Sequence, residues 1–213
     1  MKPLADCRLY TFVDTAYLHG RPAATVARQL CEGGSDLIQL RAKGLAVNEI
    51  LRLGHEVLPI VRDFDVDLVI NDHWNIACEL GADFCHLGQE DFFDGSGDPR
   101  RGDSKPGLGL STHAPDQAIR ALAANPAYIA IGPIHATPTK PTAKAVTLDY
   151  VPWAAQHVTI PWFAIGGINL ANLNDALAAG ATRVCVVSAI LNAPDVAVAC
   201  RQFKEALMRR HQA

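Results

Sequence analysis

No stretch of this sequence approaches the roughly 18–20 apolar residues that a membrane-spanning helix requires. Its amino terminus, MKPLADCRLYTFVD, places Asp6 and Arg8 where a secretory signal would stay apolar. The expectation is a cytoplasmic protein with no membrane partner. An excess of one charge is missing too: 19 Lys and Arg stand against 22 Asp and Glu, a net charge of -3, which offers a nucleic-acid backbone no basic footprint. Cys7, Cys31, Cys78, Cys85, Cys185 and Cys200 lie far apart with no CxxC pair, so a zinc finger is excluded and free, structural thiols are expected. No HxH or HExxH spacing links the eight histidines. His86, His113 and His135 fall near strand ends, where packing or hydrogen bonding to a substrate explains them better than a metal. The partner left by these exclusions is a small molecule.

What is present is alternation. Apolar, β-rich runs cover 7–14, 37–43, 66–72, 84–89, 107–112, 128–134, 162–168 and 183–190. Between most of them lie Ala- and Leu-rich segments of helical spacing, at 22–33, 47–62, 73–81, 115–124, 171–179 and 195–209. Runs such as YIAIGPI and RVCVVSAI are apolar on both faces, as expected of parallel strands between a helical layer and a packed barrel interior. No dinucleotide fingerprint follows the first strand, which disfavours an open Rossmann sheet. The predicted fold is α/β, a single (β/α)8 TIM barrel occupying residues 1–213 as one domain. Residues 90–106, EDFFDGSGDPRRGDSKP, carry helix breakers, so the fourth helix is expected to be short or absent and the loop to be a lid or a plain insertion.

In such a barrel, polar residues at the carboxyl ends of strands read as functional. The two-residue period of strand two sends Gln39, Arg41 and Lys43 to one face and Ile38, Leu40 and Ala42 to the other. An arginine fork beside a lysine suits a polyanion. Asp72 and Asp91, on neighbouring strand ends, would repel without a cation between them, and magnesium takes one or two carboxylates plus water and phosphate oxygens. Each alone also reads as a helix N-cap. Ser111 offers a hydroxyl or a cap, and the loop after strand six, HATPTKP, is rich in hydroxyls and ends near Lys140. Gly166-Gly167 and Val187-Ser188 fall where barrels form phosphate sites from backbone N–H groups. Two anions are therefore expected, one with magnesium near strands two to four and one near strands six to eight.

Taken in order, QLRAK (39–43), IND (70–72), HLGQED (86–91), GLSTH (109–113), GPIHATPTK (132–140), AIGGI (164–168) and VVSAI (186–190) resemble the thiamine phosphate synthase family over essentially the whole chain. The resemblance implies coupling of 4-amino-2-methyl-5-hydroxymethylpyrimidine diphosphate to a thiazole phosphate, with release of diphosphate. It assigns Gln39, Leu40, Arg41, Ala42, Lys43, Asn71, Ser111 and Lys140 to the pyrimidine diphosphate, with Arg41, Lys43, Ser111 and Lys140 as the catalytic set. It assigns Thr137, Pro138, Thr139, Gly167, Val187 and Ser188 to the thiazole phosphate, and Asp72 and Asp91 to magnesium. Segment 92–106 departs from the family's pattern, which is usually helical there. Rival readings are a thiazole tautomerase of the same barrel family, which has no diphosphate to hold, and a non-enzymatic phosphate-ligand sensor.

Overall fold

A computed structural model describes residues 2–95, 98–100, 105–136 and 148–209. Its strands are β1 (Leu9–Asp14), β2 (Leu37–Arg41), β3 (Asp67–Asn71), β4 (Phe84–Leu87), β5 (Gly107–Thr112), β6 (Tyr128–Ile131), β7 (Trp162–Ile165) and β8 (Val184–Cys185). They are parallel and close in chain order, β8 pairing with β1 through Leu9↔Val184 and Tyr10↔Cys185. The helices between them are α1 (Ala23–Glu32), α2 (Val47–Asp63), α3 (Trp74–Leu80), α4 (Gln89–Phe93), α5 (Pro115–Ala123), α6 (Tyr150–His157), α7 (Leu173–Ala178), α8 (Ser188–Leu191) and α9 (Val196–Arg209). This is the (β/α)8 barrel expected from the alternation, and no described helix is long and apolar enough to cross a membrane.

The differences from the sequence reading have local causes. Run 183–190 is a strand only over its first part: Val187 turns the chain (φ −112°, ψ −89°) and α8 takes Ser188–Leu191. An apolar run buried on both sides carries no period that separates strand from short helix. β6 stops before Gly132-Pro133, because proline has no N–H for the ladder. β7 stops where Gly166 and Gly167 adopt φ of +107° and +61°. The fourth helix is indeed short, five residues. Helix α6 lies outside the segments of helical spacing, and its Pro152 sits in the first turn, where a proline removes only an N–H that lacks an intrahelical partner anyway.

The barrel interior is plugged by aromatic rings. Tyr10, Tyr128 and Phe163 meet edge to face, with centroids 5.4–5.9 Å apart, and all three are fully buried. Gly109 on β5 makes room for them, since a Cβ there would stand 2.3 Å from the Tyr128 ring. This layer is the floor on which the mouth of the barrel is built.

Candidate active site

A cavity opens above that floor at the carboxyl ends of the strands. Gln39, Arg41 and Lys43 line it, as the two-residue period of β2 predicts, while Leu40 and Ala42 lie buried on the opposite face and do not reach it. The same alternation that brings their neighbours in leaves Leu40 and Ala42 only their main chain to offer a ligand in this cavity. Arg41 does not swing freely. Its Nη1 donates to Oδ2 of Asp14 at 2.8 Å, and Asp14, at the end of β1, is 1% exposed. The other oxygen of Asp14 accepts from the Ala16 N–H at 3.0 Å, which fixes the carboxylate in turn. Sequence reading did not pick out Asp14, because only pairing of β1 with β2 in register, Asp14↔Arg41, brings the two together.

The acidic rim follows. Asn71, Asp72 and Asp91 line the same cavity. Asp72 adopts a left-handed φ of +63°, its N–H donates to the His86 carbonyl at 2.9 Å, and Lys43 Nζ lies 3.4 Å from its Oδ2. Neither acid serves as a helix cap: the residues at those positions are His73 for α3 and Gly88 for α4. Asp91 instead folds back over Gly88, its Oδ2 2.7 Å from where a Cβ on residue 88 would stand. Among the described residues no third acid, His or Cys completes a closed ligand set. Two hard carboxylate oxygens on one rim suit magnesium, which keeps positions for water and phosphate oxygens.

Across the mouth, Gly166, Gly167, Val187 and Ser188 line the cavity. A side chain at Gly167 would face both the Ala136 carbonyl, 2.5 Å from a Cβ, and the strain of φ +61°, so the main chain stays bare toward the cavity. Thr137, Pro138, Thr139 and Lys140 lie outside the described residues. His135 leads into that segment, and its Nε2 is buried without a hydrogen-bond partner.

Tyr10, Phe12, His86 and His113 also line the cavity, beyond the residues the sequence points to. His86 and His113 bind protein partners, Tyr128 and Ser111 in one case and the Gly132 carbonyl in the other. Ser111 does not cap α5, whose N-cap is Ala114; its Oγ bonds His86 Nε2 at 2.9 Å. Their signal in the sequence is only the two-residue spacing that puts Tyr10 with Phe12, and Ser111 with His113, on one face of a strand.

A closed eight-stranded α/β barrel with cations, carboxylates and bare glycine main chain converging on the carboxyl ends of its strands is the architecture of a barrel enzyme acting on a small molecule. Comparison with known proteins narrows this class. The family model described as thiamine monophosphate synthase matches residues 9–190. The thiamine-phosphate synthase of Thermus thermophilus is 45% identical over 184 residues, covering 82% of this chain and 84% of the relative. That of Acidothermus cellulolyticus is 44% identical over 203 residues, 94% of each. Among solved structures, a thiamine phosphate pyrophosphorylase from Pyrococcus furiosus superposes with a TM-score of 0.86 over 98% of both chains at 24% identity, which supports the barrel fold. The chain belongs to the thiamine monophosphate synthase family, and it is an enzyme of the transferase class.

Proposed function

We propose that this barrel joins 4-amino-2-methyl-5-hydroxymethylpyrimidine diphosphate to a thiazole phosphate, with or without a carboxylate on the thiazole, forming thiamine phosphate and free diphosphate in the cytoplasm with magnesium as cofactor. The observation that carries the reading is the joint presence in one cavity of the Asp14-anchored Arg41, Lys43 and the two rim acids on one side and Gly167 with Ser188 on the other. One side suits a metal-bound diphosphate, the other a monophosphate.

On this reading the bond from the pyrimidine methylene carbon to the diphosphate oxygen breaks first, its electron pair leaving with the diphosphate. The electron-rich aminopyrimidine stabilises the resulting cation, and the lone pair of the thiazole nitrogen then forms the new C–N bond. No protein nucleophile is required. Arg41, Lys43, Ser111 and Lys140 stabilise charge growing on the leaving group, and Gln39 and Asn71 orient the pyrimidine. Thr137, Pro138, Thr139, Gly167, Val187 and Ser188 hold the thiazole phosphate. Asp72 and Asp91 would hold magnesium, which when bound neutralises part of the diphosphate charge. The Tyr10–Tyr128–Phe163 floor closes the lower barrel and limits capture of the cation by water.

The test is mass-spectrometric detection of coupled product from both substrates and magnesium, with each substrate omitted in turn. Product only in the full mixture supports the proposal. Rapid isomerisation of thiazole carboxylate phosphate alone, with no coupling in the full mixture, would identify a tautomerase instead.

A further inference from the structure

Beneath the ligand cavity a single chain of hydrogen bonds crosses five strands. Gln39 Nε2 on β2 donates to the Tyr10 hydroxyl on β1 at 2.6 Å, and that hydroxyl lies 3.0 Å from the Tyr128 hydroxyl on β6. The Tyr128 hydroxyl lies 3.1 Å from His86 Nδ1 on β4, and His86 Nε2 lies 2.9 Å from Ser111 Oγ on β5. Tyr128, at the middle of the chain, is 0% exposed and does not reach the cavity, whereas Gln39, Tyr10, His86 and Ser111 line it.

Donor accounting gives the chain a direction. With the Gln39 amide donating, the Tyr10 hydroxyl accepts there and must spend its own proton on Tyr128. Tyr128 then donates to Nδ1, which leaves the imidazole proton on Nε2, donating to Ser111. Ser111 has accepted, so its proton is available to a ligand. The reverse order would have Tyr10 accept twice and strand its proton in a buried, apolar layer. Only a carbonyl or carboxylate oxygen of residue 39 turned toward Tyr10 makes the reverse order self-consistent, and in that arrangement every member of the chain flips together.

We propose that Tyr10, Tyr128 and His86 are positioning residues that tie the hydrogen-bond polarity of Gln39 to that of Ser111, so that the site presents an acceptor at the Gln39 end and a donor at the Ser111 end. A ligand must then bring an N–H donor to the first and a lone-pair acceptor to the second. The choice of ligand rests on the proposed function, whose aminopyrimidine diphosphate carries both groups; the chain itself does not.

The test is therefore made on the free protein. Long-range proton–nitrogen NMR of histidine-labelled protein in mildly alkaline solution reads the tautomer of His86, its resonance assigned by loss in His86→Gln. A single Nε2–H tautomer is expected. Gln39→Glu, whose carboxylate can only accept, is expected to switch His86 to Nδ1–H, and adding Tyr128→Phe is expected to abolish that switch by cutting the chain. Tyr128→Phe alone keeps the ring and loses only the hydroxyl, so it remains informative if Gln39→Glu does not fold; it is expected to give a mixture of tautomers. An Nδ1–H tautomer in the unaltered protein, or an unchanged single tautomer in Tyr128→Phe, would overturn the proposal. Failure of the coupling assay with the tautomer results as expected would instead count against the proposed function alone.

Discussion

Asp14 and Gly88 act through the residues they hold. Asp14→Asn keeps an acceptor oxygen for Arg41 but removes the charge opposite the guanidinium, and charge-assisted bonds are roughly twice as strong as neutral ones. Turnover is expected to fall about tenfold, ~1.4 kcal/mol of transition-state stabilisation, with a larger fall in Arg41→Ala; steady-state kinetics on both variants check the order. Gly88→Ala would push a methyl group against the Asp91 carboxylate at 2.7 Å. The flexible side chain can yield, so the fold should persist while the magnesium concentration for half-maximal activity rises; an unchanged magnesium titration would separate Asp91 from the metal. At this scale the sequence was legible where alternation alone decides, as at Gln39, Arg41 and Lys43. It was silent on Asp14 and left the partners of Tyr10 and His86 open, because those partners sit on other strands.

The ends of β6 and β7 are where element structure shapes the site. Gly167→Ala would force a left-handed φ on a side chain and press it against the Ala136 carbonyl. The main chain offered to an anion must then move, and the KM for thiazole phosphate should rise about tenfold, ~1.4 kcal/mol, with a smaller change in the KM for the pyrimidine diphosphate. Equal changes in both would mean the two anion sites are wrongly divided. The eight strands were readable because each run is apolar and bounded by turn residues. Their ends were less so: the VVSAI run looks continuous in sequence, yet Val187 turns the corner that delivers Ser188 to the cavity. The start of α6 was likewise unmarked, since a first-turn proline such as Pro152 and a helix breaker look alike until the helix start is known.

Across the whole molecule, the face opposite the site carries its own electrostatics. Burial, then the charge of Asp83, raises the Asp67 carboxyl from its ordinary 3.8 to about 6. Burial would raise Asp83 also, but hydrogen bonds from Lys105, the Leu68 N–H and Arg62 outweigh it and hold that carboxyl below its ordinary value. For Asp67 the folded state binds the proton more tightly, so the stability it contributes is complete below pH 3.8 and is lost as pH rises through about 6. Asp67→Asn should therefore raise the melting temperature by roughly 2–4 °C at pH 8, a gain of ~1 kcal/mol, and by little near pH 4; calorimetry at the two pH values decides it. Thiol chemistry reads the packing of the same barrel. Burial pushes Cys7, Cys31 and Cys200 up to about 12, and Cys78 alone of the six is exposed, so alkylation of the native protein should stop at Cys78. The barrel as a whole was legible in the sequence because eight similar β–α units leave few other closures. The pairing of acids and bases on its far face was not, since Asp67, Asp83 and Lys105 stand at the starts of three different strands and meet only once β3, β4 and β5 pair side by side. The most direct measurement of the central claim, that one barrel mouth couples a metal-held diphosphate to a separately held monophosphate, is simultaneous quantification of diphosphate and thiamine phosphate while magnesium is titrated. Equal amounts of the two products, both vanishing when magnesium is chelated, are predicted; coupled product formed undiminished in the presence of chelator would contradict the account.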